Sequence, residues 1–471
     1  MLRLLSTGQT LCDGRSRREM MRVGGLALAG LSLPGIWQAR EATAAKAATK
    51  KHFGSFGRAK SVIVFGLIGG PAQHETFDPK PDAPKEIRGE FGVIPTKTAG
   101  LQIGELLPKT ANLSEKIAVL RAVVTGDNAH SSSGYQMLTG VPHVPLNAES
   151  VTPKAPNLWP SVGALVRTQL DQPGQLPAAV TLPEHIWNDG NFPWPGQDGG
   201  WLGRQRHPWL LHCDPSAADF SIPGLALPEG MPSVRISERR NLLEQMNGGL
   251  DSLARSRQVD GYGTHARKAI DMLTSSSARA AFEISQETDK TRDRYGRSRF
   301  AQSVLLARRL VEAGVSLVQV NWTRIKDQPN QGGWDTHAQH NKSCKDLLMP
   351  IADQCFSALL EDLQERGLLD ETLVIWFGEF GRTPKFNGNG GRDHWGRCFS
   401  LALAGGGIRG GVVHGVSDKQ AADPVDGIVR AADLHATIFH CLGLAPETQF
   451  HDALGRPLPL TRGRVIEPIV S

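Results

Sequence analysis

The sequence predicts an α/β fold with a mostly parallel central sheet flanked by helices on both faces. Two observations carry the prediction. Several runs are apolar without alternation, which is how strands covered on both faces read: Ser61 to Ile68, Ile117 to Val124 and Thr372 to Phe377. Between them lie segments with helical periodicity, such as Arg297 to Gly314, where Phe300, Val304, Leu306, Leu310 and Val311 share one stripe. Strand and helix in alternation give parallel pairing with crossover helices.

In chain order, residues 1–45 read as an address. Arg17-Arg18 precedes a short apolar stretch, Val23 to Leu33, and the small-residue run Ala42 to Ala45. Paired arginines, a mild apolar core and an A-x-A site are the parts of a twin-arginine signal peptide, so export to the periplasm or cell surface is expected. A linker is expected over residues 46–60, and a single domain over 61–471. The strand at Ser61 ends in Gly69-Gly70-Pro71. Residues 110–124 read as a short helix and a second strand. A loop, Asp127 to Ser133, then precedes a helix ending at Thr139-Gly140. Residues 141–235, rich in Pro, Trp and Gly, read as an excursion over the sheet, and 236–312 as mostly helical. Strands follow at Val315 to Val320, Thr372 to Phe377 and Phe399 to Ala404, with helices over 343–366 and Ala431 to Leu442. Gly405 to Gly410 satisfies G-x-G-x-x-G, but no helix follows, so it reads as a turn rather than a dinucleotide loop.

Composition narrows the function classes. The 471 residues are 40% hydrophobic and 21% charged, which excludes a collagen-like or wholly disordered chain. No apolar run reaches the roughly 18 residues of a spanning helix, so no transmembrane anchor is expected after signal cleavage. The net charge of +5 is small, and residues 1–45 supply part of it through six arginines against three acidic residues. The body therefore gives no electrostatic case for nucleic acid.

In parallel sheets, ligands collect beyond the carboxyl ends of the strands. Five segments lie at such places: Gly69 to Asp78, Asp127 to Ser133, Gly332 to His340, Gly378 to Thr383 and Gly391 to Gly396. They hold Glu75, Asp78, Asp127, His130, Asp335, His337, His340, Glu379, Asp393 and His394. Carboxylate plus imidazole without thiolate suits a divalent metal ion, with Zn, Mn, Mg and Ca not distinguished. Asp335 and His337, two apart around a turn, can share it. Arg382 is read either as an anion clamp or as an ion-pair partner of Glu379. Ser131 to Ser133 supply either a nucleophile or a helix cap.

These motifs carry a resemblance. The twin-arginine leader, Gly69-Gly70-Pro71 with Phe77-Asp78-Pro79, Gly333-Trp334-Asp335-Thr336-His337, Gly378-Glu379-Phe380-Gly381-Arg382-Thr383-Pro384 and Arg392-Asp393-His394-Trp395 resemble the domain-of-unknown-function family 1501, often labelled sulfatase-like. That family looks like a branch of the alkaline phosphatase and sulfatase superfamily, whose characterised members are metal-dependent hydrolases of phosphate or sulfate esters. The resemblance implies a catalytic role for His130, which stands where a sulfatase has its modified cysteine, with Ser131 the nearest hydroxyl. It implies a metal pair in Asp335 and His337, with His340 a rival, and a later metal histidine in His394. Glu379 keeps the carboxylate of a strand that usually ends in Asp-His, while Phe380 replaces the imidazole. The usual aspartate after the first strand is missing, and Gly69-Gly70 take its place.

Two functions follow as expectations. In the first, Asp335, His337, Glu379 and His394 hold the ion, His130 is acid or base, Ser131 or water attacks, and Arg382 offsets charge on a small-molecule or polysaccharide ester substrate. In the second, the scaffold is a non-catalytic binding protein for surface polysaccharide, with Trp187, Trp194 and Trp201 as stacking surfaces.

Overall fold

The computed structural model describes residues 54–172, 176–188, 192–222, 276–452 and 454–471. The signal-peptide reading and most of the linker lie outside them, as do residues 223–275. Residues 54–60, at the end of the stretch read as a linker, lie along the C-terminal helix. Ser55 is fully buried there and bonds His440.

Among the described residues, nine strands form one sheet. In chain order they are β1 (Ser61–Gly66), β2 (Ile117–Val124), β3 (Ala179–Leu182), β4 (Trp209–Leu210), β5 (Leu317–Asn321), β6 (Thr372–Phe377), β7 (Phe399–Ala404), β8 (Val412–His414) and β9 (Val429–Arg430). The order across the sheet is β8-β2-β7-β6-β1-β5-β3-β4, with β9 also pairing β2. Every pairing is parallel except those of β7, which runs against both β6 and β2. Because β7 is reversed, its start lies at the same end as the carboxyl ends of β1, β2, β5 and β6. All five sequence segments singled out above converge on that end.

The main helices are α1 (His130–Thr139), α2 (Val162–Leu170), α3 (Arg299–Glu312), α4 (Met349–Glu365) and α5 (Ala431–Cys441). β1 is buried on both faces, as its unbroken apolar run requires. On one face Phe65 meets Phe300 of α3 at 5.0 Å, Phe356 of α4 at 5.3 Å and Trp376 of β6 at 5.5 Å between ring centroids. Val62 and Val64, on the other face, are equally buried.

Three expectations change. The helix expected after Ser133 begins at His130, and Asp127 braces the turn that leads into it: its carboxylate accepts from the Ala129 N–H at 3.0 Å and the Ser132 hydroxyl at 2.8 Å. The serines therefore lie inside α1. The excursion over 141–235 contributes β3 and β4 to the sheet itself, strands too short for periodicity to reveal. The helix expected over 343–366 starts a turn earlier at His340 and passes through a π-helical segment, Cys344–Leu348, before α4.

Candidate metal centre

Each donor is delivered by a strand end. The turn after β1 brings Gly69 against the loop carrying Asp335. Gly69 has φ +115°, and a Cβ there would lie 2.4 Å from the Asp335 amide nitrogen, so only glycine fits. The segment after β6 carries Glu379 and Arg382. The two-residue pairing of Gly381–Arg382 with His394–Trp395 sets Arg382 opposite His394. α1 starts with His130 after β2.

These groups meet at Asp335. Its Oδ1 lies 2.6 Å from Arg382 Nη2, 2.9 Å from His337 Nε2 and 3.1 Å from His394 Nε2. Its Oδ2 lies 3.2 Å from His130 Nε2. The Nε2 atoms of His337 and His394 are 2.9 Å apart. His130, Asp335 and His394 offer ligand atoms that all lie within 4.8 Å of one another.

The opposite ring nitrogens decide what this means. His130 Nδ1 faces Glu379 Oε1 at 2.8 Å, His337 Nδ1 faces Asp393 Oδ1 at 2.7 Å, and His394 Nδ1 faces the Asn128 carbonyl at 2.7 Å. All three partners are acceptors, so each Nδ1 carries a hydrogen. Whenever a ring is neutral, it then presents a bare Nε2 lone pair toward Asp335. Lone pairs gathered around a carboxylate repel unless a proton or cation lies among them. Metal-ligating histidines are also oriented by a carboxylate or carbonyl on the outer nitrogen. The mutually close group of His130, Asp335 and His394, two imidazoles and a carboxylate, fits a divalent ion, and His337 Nε2 lies beside it against Asp335 and His394.

The titration of the group agrees. Burial disfavours the Asp335 charge, but Arg382 and the three imidazoles hold its carboxyl far below the usual range. Burial also pushes His130 down, yet its bonds to Asp335 and Glu379 carry it up to about 9. The bond to Asp335 raises His337, and burial lowers His394. In the metal-free chain, protons do the work of a cation.

The expected residues thus divide. Asp335, His337 and His394 come together, joined by His130 as a fourth donor. Glu379 is fully buried one step back: it accepts from the Gly69 N–H at 3.0 Å and orients His130. Arg382 pairs with Asp335, not with Glu379. It is fully buried, and it also donates to the carbonyls of Gly69, Gly70 and Arg392. Those bonds make it a fixed counter-charge behind Asp335. The Ser131 hydroxyl is buried and accepts from Asn188 Nδ2 at 2.8 Å, away from the donors. His340, the rival ligand, faces Glu75 and Thr336 instead.

A cleft of about 770 Å³ opens over the centre, with His130, Asp335 and His337 on its floor and His185, Trp187, Asn188, Arg324 and Gln331 among its walls. Trp187 is exposed at the rim, Trp194 is buried against His130, and Trp201 stacks on Phe450 at 5.4 Å. Sequence reasoning missed the Gly69 N–H and the Asn128 carbonyl, because backbone groups carry no side-chain signal. It placed Asp393 in the cluster without its role as the partner of His337.

The family model described as "Protein of unknown function (DUF1501)" matches residues 59–470. The chain belongs to that family. No functionally curated relative matches it. Among solved structures, it is similar to the PsFucS1 sulfatase from Pseudoalteromonas sp. (14% identity, TM-score 0.38, covering 83% of this chain and 69% of that one). It is also similar to the phosphonate monoester hydrolase SpPMH from Silicibacter pomeroyi (12%, 0.38, 87% and 76%) and the lipoteichoic acid synthase LtaP from Listeria monocytogenes (9%, 0.39, 89% and 79%). These are likenesses of overall fold alone.

Proposed function

We propose that this member of the family is an exported, metal-dependent hydrolase of phosphate or sulfate esters. The observation that supports it is the convergence of the Nε2 atoms of His130, His337 and His394 on the Asp335 carboxylate. His130, His337, His394 and Asp335 would hold the ion, a revision that exchanges Glu379 for His130 in the ligand set. A bound divalent cation supplies Lewis-acid polarisation of an ester oxygen. The chain's own residues do the rest. Glu379 and Asp393 fix the imidazole orientations, Arg382 holds Asp335 in its ionised form, and the Arg324 side of the cleft meets the anionic ester. The Trp187 rim gives a small-molecule or saccharide moiety an apolar surface.

One observation favours a second reading. No Ser, Thr, Tyr or Cys is among the described residues lining the cleft, so no side-chain hydroxyl or thiol stands ready to attack. A binding protein on this scaffold, with a metal-held anionic glycan in the cleft, needs none. Turnover separates the two. The hydrolase reading expects hydrolysis of 4-nitrophenyl phosphate or sulfate that disappears in Asp335→Asn. Metal-loaded protein that turns over neither ester, yet retains a sulfated glycan, supports the binding reading. For export, fractionation of cells expressing the chain with Arg17→Lys and Arg18→Lys together should show precursor trapped in the cytoplasm. Unchanged export would contradict the twin-arginine route.

A further inference from the structure

We infer that Glu75 is a positioning residue: a single buried carboxylate that sets the spacing of the two loops bearing the metal donors. The inference rests on the metal-binding reading above and deepens it.

Glu75 lies on a short turn after β1, is 2% exposed and faces no part of the cleft. Its two oxygens point to different loops. Oε1 accepts from Arg392 Nη2 at 2.7 Å. Oε2 lies 3.2 Å from His340 Nε2, a close polar contact without hydrogen-bond alignment. Each partner passes the connection to a donor. Arg392 immediately precedes Asp393 and His394 in the chain. Its guanidinium is pinned by the carbonyls of Thr383, Pro384 and Ile87, and lies 4.0 Å over the Phe386 ring. His340 Nδ1 bonds the Thr336 hydroxyl at 2.6 Å, and Thr336 stands between Asp335 and His337. One backbone bond also ties the loops, from the Arg392 N–H to the Thr336 carbonyl at 3.0 Å.

The 2.9 Å separation of His337 Nε2 and His394 Nε2 is therefore a distance between two loops. It is set by a bridge from Thr336 through His340 and Glu75 to Arg392. Glu75 places one oxygen against each loop, a charge-assisted hydrogen bond to Arg392 and a close polar contact with His340. Outer residues of this kind typically change metal affinity by about 10- to 100-fold when altered.

The test is zinc affinity, measured by competition with a chromophoric chelator on the full-length mature protein, with folding followed by circular dichroism. Glu75→Gln keeps the shape but loses the charge, and Thr336→Val cuts one arm of the bridge with little loss of volume. Asp353→Asn removes a buried carboxylate remote from the centre, which accepts from the Thr110 N–H at 2.7 Å, and serves as the stability control. The expected result is an affinity about 10- to 100-fold weaker in Glu75→Gln and about tenfold weaker in Thr336→Val, with Asp353→Asn at the wild-type value. If Glu75→Gln does not fold, Thr336→Val carries the test. Wild-type zinc affinity in folded Glu75→Gln, or in Thr336→Val, overturns the inference and leaves the metal reading intact. A wild-type protein that binds no zinc overturns the metal reading, and the inference with it.

Discussion

Two charged clusters in this molecule use the same residue classes to opposite ends. Between α3 and α4, Arg308, Arg309 and Arg366 face Glu287, Glu312 and Asp362. Arg308 alone reaches Glu287 at 2.7 Å, Glu312 at 2.7 Å and Asp362 at 3.0 Å. Three cations meet three anions, and the cluster is closed. At the sheet end, Asp335, Glu379 and Asp393 face one guanidinium, that of Arg382, and three imidazoles. With the imidazoles neutral, two negative charges are left uncompensated, the charge of one divalent cation. The lesson is that burial of charge does not by itself mark a site. A site shows itself where the internal partners do not balance and the spare lone pairs point at one place.

The contrast breaks most sharply by removing its centre. Asp335→Asn should weaken zinc binding by more than about 100-fold, read by chelator competition. Glu287→Gln in the closed cluster should leave zinc binding unchanged while lowering unfolding free energy by about 3 kcal/mol, read by urea denaturation. Equal effects of both variants on zinc would abolish the distinction.

A smaller effect is expected one step out. Glu379→Gln removes the carboxylate that orients His130 and should cost about 10- to 100-fold in metal affinity with little change in fold. Wild-type affinity in this variant would place His130 outside the ligand set.

The pH dependence sharpens the same point. His130 titrates near 9 in the metal-free chain, above its ordinary value of 6.5. A raised folded-state pKa gives stability that is full below pH 6.5 and lost as pH rises through about 9, a contribution of about 3 kcal/mol at 1.4 kcal/mol per unit. Metal-free protein should therefore lose stability between pH 7 and pH 9.5. Because that proton must leave for the ring to ligate, zinc affinity should tighten by about tenfold per unit from pH 6 to pH 8. Calorimetry in buffers of different ionisation enthalpy should show proton release on binding, and a pH-independent affinity would contradict the assignment of His130.

The smallest effect is expected at Ser131. Its hydroxyl is committed to Asn188, so Ser131→Ala should cost about 1 kcal/mol of stability and leave zinc affinity and any ester turnover within about twofold. A large loss of turnover would restore Ser131 as a nucleophile.

Much of the fold was legible because of its burial. β2, β6 and β7 fall on the residues their apolar runs predicted, since a strand covered on both faces has no reason to alternate. The direction of β7 was not legible, because direction leaves no mark on composition. Nor were β3 and β4, whose sheet partners come from far along the chain. At the site, Asp335, His337 and His394 were readable from residue type and place. The placement of His130 against Asp335, with Glu379 behind it, was not. It depends on where α1 starts, in a turn braced by Asp127, and on the Gly69 N–H that engages Glu379. Arg382 was left between two partners, and the structure supplies a third, because Asp335 arrives from a loop some fifty residues away.

The most direct test is crystallographic: anomalous-difference density at the zinc absorption edge, from crystals of the protein grown with zinc. One peak within bonding distance of Asp335 and of the Nε2 atoms of His130, His337 and His394 is the predicted result. Density at Glu379 instead, or none among these four side chains at saturating zinc, would contradict it.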